Sequence, residues 1–250
     1  MTKGGLPQKE DVRNLSYEKL VETLEGLGEK AFRATQIFEW IYQKGAWSFD
    51  GMSNLPKPLR DRLKQDFILQ PNTIAQKHVS EDGTTKFLFD LYDHEKVESV
   101  LIPTEKRTTA CISTQAGCKF GCKFCASGIG GWSRNLTCAE MITQVLHVRE
   151  ESQKHKWPLS NIVFMGTGEP LDNFRNLMNA VRIINSGKGM NIGARHMTVS
   201  TVGLVPEMKK LAQEGLQIEL AVSLHGYDDE TRSLLLPVNK RYPVEDLMAA

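Results

Sequence analysis

Long hydrophobic runs are missing from this 250-residue sequence. No stretch approaches the roughly 18 consecutive apolar residues that a membrane-spanning helix needs. The opening residues, Met-Thr-Lys-Gly-Gly-Leu-Pro, also lack the apolar segment of a secretory signal. We therefore predict a cytoplasmic protein that does not associate with a membrane.

Charge of one sign is not in excess either, because the formal net charge is only +1. Hydrophobic residues make up 40% and charged residues 24% of the chain, which is typical of a soluble globular protein. Two stretches depart from this balance: 105–135 has five Lys or Arg residues against one acid, and 173–206 has four and no acid. Basic runs are most often solvated surfaces, but these two flank the candidate reactive residues and favour a polyanionic substrate.

Cysteine is scarce, with five in the chain, yet three of them fall within eight residues. Cys118, Cys122 and Cys125 have the spacing C-x3-C-x2-C on a short loop that contains glycine. Three thiolates can hold three irons of a 4Fe-4S cluster, whereas closed clusters usually have four cysteine ligands. The spacing therefore predicts an iron–sulfur site in which one iron is open to an outside ligand.

A structural zinc site is the alternative for the same cysteines. Structural zinc normally takes four protein ligands, and residues 110–137 contain no histidine and no second C-x2-C pair. Cys111 could complete such a site, so zinc stays open, whereas disulfides are rare in a reducing cytoplasm. Cys138 is predicted to be a packed thiol. His147 and His155 show no partner pattern and are predicted to lie at the surface.

The spacing of apolar residues divides the chain into three parts. Residues 1–72 have helical periodicity and are predicted to form a helical accessory domain that could contact RNA. Residues 73–104 alternate polar and apolar side chains around the turn Asp82-Gly83, which predicts a small antiparallel β-hairpin connector. Residues 105–250 form the predicted core.

The core alternates short apolar strands with helices. Strands are predicted at 109–114, 161–165, 196–200 and 217–223, and helices at 138–150, 174–184 and 205–214. Parallel strands joined by helical crossovers curl into a barrel whose sites lie at the carboxyl ends of the strands. The predicted fold class is therefore α/β: a partial (βα) barrel, preceded by the helical domain and the hairpin region.

Polar residues follow all four predicted core strands. The cysteine loop follows the first strand, Gly166-Thr-Gly-Glu-Pro170 the second, Ser200-Thr-Val-Gly203 the third and Ser223-Leu-His225 the fourth. Each loop alone could be an ordinary turn or a helix cap. Four consecutive strand ends with polar loops predict one shared site.

Glu98 is a candidate outside these loops. It lies on a predicted strand, on the same face as Val100 and Ile102. Apolar surroundings would raise the pKa of its carboxylate. An exposed glutamate on an edge strand is the alternative.

Several motifs together resemble one family. They are Cys111-Ile-Ser-Thr-Gln-Ala-Gly-Cys118, the three clustered cysteines, Arg134-Asn-Leu-Thr137, Met165-Gly-Thr-Gly-Glu-Pro170, Ser200-Thr201, Ser223-Leu-His225 and Pro237-Val-Asn239. From about Leu15 to its end the chain resembles the RlmN family of radical S-adenosylmethionine (SAM) enzymes. That family methylates C2 of adenosine in 23S rRNA and in tRNA next to the anticodon.

The resemblance implies a role for each matching residue. Cys118, Cys122 and Cys125 would bind the 4Fe-4S cluster, and the SAM site would be lined by Gly168, Glu169, Ser200, Ser223, Leu224 and His225. A carboxylate at Glu169 would suit the SAM amino group. A low-potential electron donor such as flavodoxin would reduce the cluster, and the protein would act as a monomer.

The resemblance also implies a radical route, because adenine C2 is not nucleophilic enough to take a methyl cation directly. One SAM methylates a cysteine in the family's carboxyl-terminal segment, and cleavage of a second SAM generates the radical. Glu98 would remove the C2 proton. Cys111 would form a disulfide with the methyl-carrying cysteine and so release the product.

The sequence departs from the family pattern after Cys138, because no further cysteine follows. We therefore expect a fragment of a longer gene product, with an incomplete barrel, an open edge strand and poor solubility. Two other functions stay open. One is Cfr-type methylation of adenosine C8, which Pro170 disfavours, and the other is a truncated Fe-S and RNA-binding protein without turnover.

Overall fold

The computed structural model describes residues 9–70 and 72–250. The helices are α1 (Tyr17–Gly26), α2 (Phe32–Phe38), α3 (Lys57–Asp66), α4 (Cys138–Lys154), α5 (Phe174–Asn185), α6 (Val205–Ala212), α7 (Asp229–Leu235) and α8 (Val244–Ala249). The strands are β1 (Glu10–Asp11), β2 (Phe67–Ile68), β3 (Thr73–Val79), β4 (Thr85–Asp90), β5 (Lys96–Pro103), β6 (Thr108–Cys111), β7 (Gln115–Gly117), β8 (Trp132–Asn135), β9 (Leu159–Phe164), β10 (Met197–Thr201) and β11 (Glu219–Val222). Within these ranges, no helix is both long enough and apolar enough to cross a membrane.

A seven-stranded sheet in the order β11-β10-β9-β6-β5-β4-β3 organises the molecule. Strands β6, β9, β10 and β11 are parallel, with α4, α5 and α6 in the crossovers between them. The predicted α/β class and the βα series are therefore confirmed. Their boundaries are close to the predicted ones because each strand is a short apolar segment next to a turn signal.

The hairpin region joins the same sheet. Strand β5 pairs antiparallel with β6, so that Val100 lies opposite Cys111, and β4 and β3 continue outward from β5. The antiparallel strands predicted for residues 73–104 are present, and they form part of the core sheet. Apolar strands bury best against a continuous sheet, and alternation along one strand does not reveal which strand it pairs with.

The two faces of the sheet differ. One face carries apolar side chains packed under α4 and α5, among them Phe89, Leu101, Ile162 and Val199, all of which are buried. Because side chains alternate along a strand, Glu98, Cys111 and Ser200 lie on the opposite face, which is exposed or half-buried. This open face carries the chemically reactive residues of the strands.

Strand β11 forms one end of this sheet order. On the helix side, its Leu220 and Val222 are 38% and 37% exposed, although their neighbours Val199 and Thr201 on β10 are buried. Within residues 9–70 and 72–250, these two side chains are thus only partly covered.

The helix α4 positions the segment that follows the cysteine loop. Thr137 caps its first turn by accepting a hydrogen bond from the Glu140 backbone N–H, and the Glu140 carboxylate accepts one from the Thr137 N–H at 2.8 Å. The Asn14 side chain accepts a further hydrogen bond from the Ala139 N–H at 2.8 Å. The accessory domain therefore holds the start of this helix directly.

Residues 9–70, the described part of the predicted accessory domain, include α1, α2, α3 and a short π-helical segment, Glu39–Gln43. Phe38 and Tyr42 are buried and contact each other edge to face, with ring centroids 4.7 Å apart. At these two positions the aromatics are core, as their helical spacing favours. The Gln43 side chain donates a hydrogen bond to the Gly187 carbonyl at 3.2 Å, so this domain also contacts the loop after α5.

His147 joins three parts of the molecule, contrary to the surface position predicted for it. Its ring on α4 stacks on Trp47 of the accessory domain, with centroids 4.7 Å apart, and lies 5.4 Å from Phe89 of β4. Burial lowers the pKa of His147, although Glu150 opposes the shift. The neutral imidazole therefore suits this contact better than the cation.

We predict that the protein loses stability as the pH falls below about 6.5, the ordinary histidine pKa, towards the lowered pKa of folded His147. In that range the unfolded chain binds a proton that the folded chain does not. His147→Phe keeps a ring against Trp47 and should reduce the drop in melting temperature between pH 7.5 and 5.5.

The matched control for this measurement is His155→Phe. His155 is exposed and stacks on Trp157, so this variant makes the same exchange of rings at a surface position. Equal pH dependence in His147→Phe and the wild type would contradict the prediction.

Candidate active site

The three clustered cysteines lie on the loop of the β7–β8 hairpin. Gly117 closes this loop with a φ of 74°, and a Cβ there would lie 2.0 Å from the Gly131 carbonyl oxygen. The Cys118 N–H donates to that same oxygen at 2.9 Å. All three thiols are half-buried. The loop thus depends on a backbone approach that only glycine allows.

The thiols face a cavity of about 150 Å³ at the carboxyl ends of the parallel strands. Its lining combines Cys118, Cys122 and Cys125 with residues of the next three loops, namely Met165, Gly166, Gly168, Glu169, Ser200, Thr201, Val202 and Ser223. The predicted convergence of four strand ends is therefore present. A larger cavity of about 350 Å³ lies between the accessory domain and the β4–β5 turn, but none of the thiols lines it.

The donors in the smaller cavity suit a multi-iron cluster. Within residues 9–70 and 72–250, no three His, Cys, Asp or Glu residues are close enough to hold one metal ion. In a cluster, by contrast, each thiolate binds its own iron. Cys111, the candidate fourth zinc ligand, lies on β6 and does not line the cavity. These thiols fit the iron–sulfur interpretation better than the zinc interpretation.

Burial favours the protonated form of two of these thiols, Cys118 and Cys122. It raises the pKa of Cys118, and it raises the pKa of Cys122 to about 11, with the neighbouring thiols adding to the shift. Because a metal binds the thiolate, loading this site would release protons.

Glu169 connects the second loop to the third. Its side chain is buried, and its carboxylate accepts hydrogen bonds from the Val202 N–H at 2.9 Å and the Leu171 N–H at 3.2 Å. Burial raises the pKa of Glu169 to about 7, and the hydrogen bonds from those N–H groups oppose the shift. An ammonium group bound beside this carboxyl group would favour its ionised form, which accepts charge-assisted hydrogen bonds.

Gln115 is a site residue that sequence reasoning missed. Its buried side chain accepts from the Glu169 N–H at 2.8 Å and donates to Asn135 Oδ1 at 2.7 Å and to Asp172 Oδ2 at 2.8 Å. One amide therefore joins the cysteine hairpin to the loop after β9. The signal that could have found it is its place inside the motif between Cys111 and Cys118.

The remaining predicted binding residues occupy the third and fourth loops. The Ser200 hydroxyl donates to the Phe164 carbonyl at 2.9 Å, and the Ser223 N–H donates to the Thr201 carbonyl at 2.8 Å. His225 is exposed and packs on Phe124 of the cysteine loop, with ring centroids 4.3 Å apart.

Leu224 is 37% exposed and lies outside the cavity lining. The structure therefore brings Ser200 and Ser223 to the cavity, places His225 against the cysteine loop, and leaves Leu224 beside the site.

Glu98 lies on the face predicted for it, with Val100 and Ile102, but its expected apolar surroundings are absent. Its side chain is 48% exposed and pairs with the Lys86 ammonium at 3.0 Å. The open face of the sheet is polar at this point because β4 places Lys86 beside β5. That pairing depends on strand register, which the sequence pattern did not specify.

The cysteines show no disulfide. Cys111, on the same open face as Glu98, is free, as are the other four cysteines. None of those four is therefore paired with Cys111 in the disulfide that the resemblance implies for it. Burial raises the pKa of the Cys111 thiol, which favours its protonated form.

The basic stretches are partly paired with acids from elsewhere in the chain. Lys119 forms an ion pair with Asp172 at 2.7 Å, and Arg134 bonds to both Asp93 and Glu140. Lys123 is exposed. These pairs mean that counting basic residues overstates the free positive charge near the site.

Comparisons with known proteins agree with this geometry. Residues 10–69 match the family model "Ribosomal RNA large subunit methyltransferase N-terminal domain", and residues 112–250 match "Radical SAM superfamily". Proteins named "Probable dual-specificity RNA methyltransferase RlmN" from Bacillus licheniformis and Bacillus cereus are 45% and 46% identical over 243 residues. The alignments cover 97% of this chain and 67% of each relative, so the chain spans about two thirds of their length.

A solved structure is similar as well. The crystal structure of a radical SAM methyltransferase from Sphaerobacter thermophilus aligns with a TM-score of 0.92 and 44% sequence identity. The alignment covers 96% of this chain and 71% of that one.

We predict that Gly168→Ala disrupts the cavity. Gly168 has a φ of 104°, and a Cβ there would lie 2.5 Å from Cβ of Gln115 and 2.8 Å from its backbone nitrogen. Strain and overlap should destabilise the protein by about 1–3 kcal/mol. Thermal denaturation would measure this effect. Gly130→Ala is the control, since nothing lies within 4 Å of a Cβ at that position, and equal melting temperatures for the two variants would contradict the prediction.

Proposed function

This chain belongs to the RlmN family of radical SAM methyltransferases, and we propose that it methylates C2 of adenosine in 23S rRNA and in tRNA next to the anticodon. The observation that carries this proposal is the cavity in which three cysteine thiols meet Glu169, Ser200 and Ser223. When bound, a 4Fe-4S cluster and SAM supply the radical chemistry that an unreactive aromatic carbon needs.

Different side chains of this cavity would bind the cluster and SAM. Cys118, Cys122 and Cys125 would hold the cluster and leave one iron for the amino and carboxylate groups of SAM. Glu169 would accept hydrogen bonds from the SAM amino group, and its bond to the Val202 N–H at 2.9 Å supports this role by fixing one carboxylate oxygen. Ser200 and Ser223 would line the same pocket, with Gly168 allowing close approach of the backbone.

Residues on the open face of the sheet would accept the proton that the reaction releases. Glu98 would accept the proton that leaves adenine C2, and its ion pair with the Lys86 ammonium at 3.0 Å would orient the carboxylate. Cys111 lies on the same face, opposite Val100. Both groups are reachable from solvent on this side, which suits a large RNA substrate.

Partners outside the chain complete the proposal. The electron would come from a low-potential donor such as flavodoxin, and a monomer would act on RNA in the cytoplasm. The RNA would be recognised by shape and by extrusion of the target base.

The first test is the cofactor. After anaerobic reconstitution with iron and sulfide, we expect about four irons per chain and a low-temperature EPR spectrum of the reduced form that changes when SAM is added. Bound zinc, or a spectrum indifferent to SAM, would contradict the proposal. Mass spectrometry of RNA from cells that carry the full-length gene would then locate the methyl group. A methyl at C8 would assign the Cfr-type reaction instead.

The second test is the RNA surface beside the cavity. We predict that Lys123→Glu weakens RNA binding and lowers the slope of log affinity against log salt concentration by about one. Lys123 is chosen over Lys119 because Lys119 is already paired with Asp172. Lys209→Glu, which reverses the charge of an exposed lysine in the last turn of α6, is the control. An unchanged salt slope in Lys123→Glu would remove this residue from the RNA interface.

A further inference from the structure

Arg232 is a fully buried cation beside the candidate active site. It lies on α7, directly after the loop that carries Ser223. Its guanidinium donates to Asn239 Oδ1 at 2.5 Å and to the Val202 carbonyl oxygen at 2.6 Å, while the buried Nε has no partner among the described residues. Its hydrogen-bond acceptors are all neutral oxygen atoms.

Carboxylates are linked to Arg232 only through hydrogen bonds of other residues. No ion pair joins it to an acid within residues 9–70 and 72–250. Asp229 is linked through the Asn239 side chain, which donates to Asp229 at 2.8 Å, and Glu169 is linked through the two backbone bonds of Val202. Burying a charge without a direct countercharge is costly, so a second anion close to Arg232 would offset that cost.

The cysteine loop shares two neighbours with this guanidinium, Val202 and the helix α7. Val202, whose carbonyl holds Arg232, also lines the cavity with the three thiols. The Lys123 N–H donates to the Leu235 carbonyl at 2.9 Å, so the loop rests on the same short helix. Burial lowers the pKa of Arg232, whereas Asp229 and Cys122 are the neighbours whose negative charge would raise it.

We propose that Arg232 is the buried countercharge of the thiolate-bound cluster and raises its reduction potential. The inference rests on the proposed function, because the anion it needs is a cluster held by Cys118, Cys122 and Cys125. Uptake of one electron from a donor adds one negative charge to that site. A fixed cation nearby favours the reduced form, and it acts most strongly where water is excluded.

The test compares three variants of the reconstituted protein. Arg232→Met removes the charge but keeps an apolar stem of similar length, whereas Arg232→Lys keeps the charge. Arg241→Met removes an exposed cation nearby and is the matched control. The midpoint potential would be measured by EPR-monitored titration with dithionite and redox mediators. We expect a more negative midpoint in Arg232→Met, and values close to the wild type in the other two.

Each outcome of this experiment either supports or overturns the proposed role of Arg232. Equal midpoints in Arg232→Met and the wild type would overturn the inference and leave the proposed function intact. If Arg232→Met fails to hold iron while Arg232→Lys holds it, the charge is needed for loading and the inference stands. Loss of iron from both Arg232→Met and Arg232→Lys would assign Arg232 a purely structural role and would overturn the inference. An unmodified protein that binds no cluster would overturn the proposed function and this inference together.

Discussion

The hydrogen bonds around the buried Glu169 hold the site together. The backbone N–H of Glu169 is fixed by Gln115 on the cysteine hairpin, and its carboxylate fixes the N–H of Val202 on the loop after β10. A buried polar group left without a partner costs about 1–3 kcal/mol, so these bonds can hardly be broken singly. They therefore fix the relative positions of three loops that are distant in sequence. The cavity that carries the thiols is the space these loops leave between them.

The sheet beneath these loops has one apolar and one polar face, and this division separates stability from function. Side chains such as Phe89 and Ile162 pack under the helices, where they remove apolar surface from water. The opposite face is free to carry Glu98, whose charge would be costly to bury, together with the half-buried Cys111. The ion pair between Glu98 and Lys86 shows how a charged pair is accommodated there. The same alternation along each strand thus produces both the core and the reactive surface.

Local features of this chain were predictable from sequence. The βα series, the turn Asp82-Gly83 and the cysteine loop follow from periodicity and spacing within a few residues. Features that depend on contacts between distant segments were not. The continuation of the hairpin strands into the core sheet, the Lys86 partner of Glu98 and the stacking of His147 on Trp47 all depend on which segments meet. A period of two or 3.6 residues identifies a buried face but not the element that covers it.

The charges around the cavity explain why folding and cofactor loading would be coupled. Burial favours the neutral form of Cys118 and Cys122, and it raises the pKa of Glu169 to about 7, so the empty cavity would hold little negative charge. Arg232 is then a buried cation without a direct countercharge. Metal binding would ionise the thiols and release protons, and the resulting anion would lie beside that cation. The cost of burying Arg232 would thereby be offset in the loaded protein.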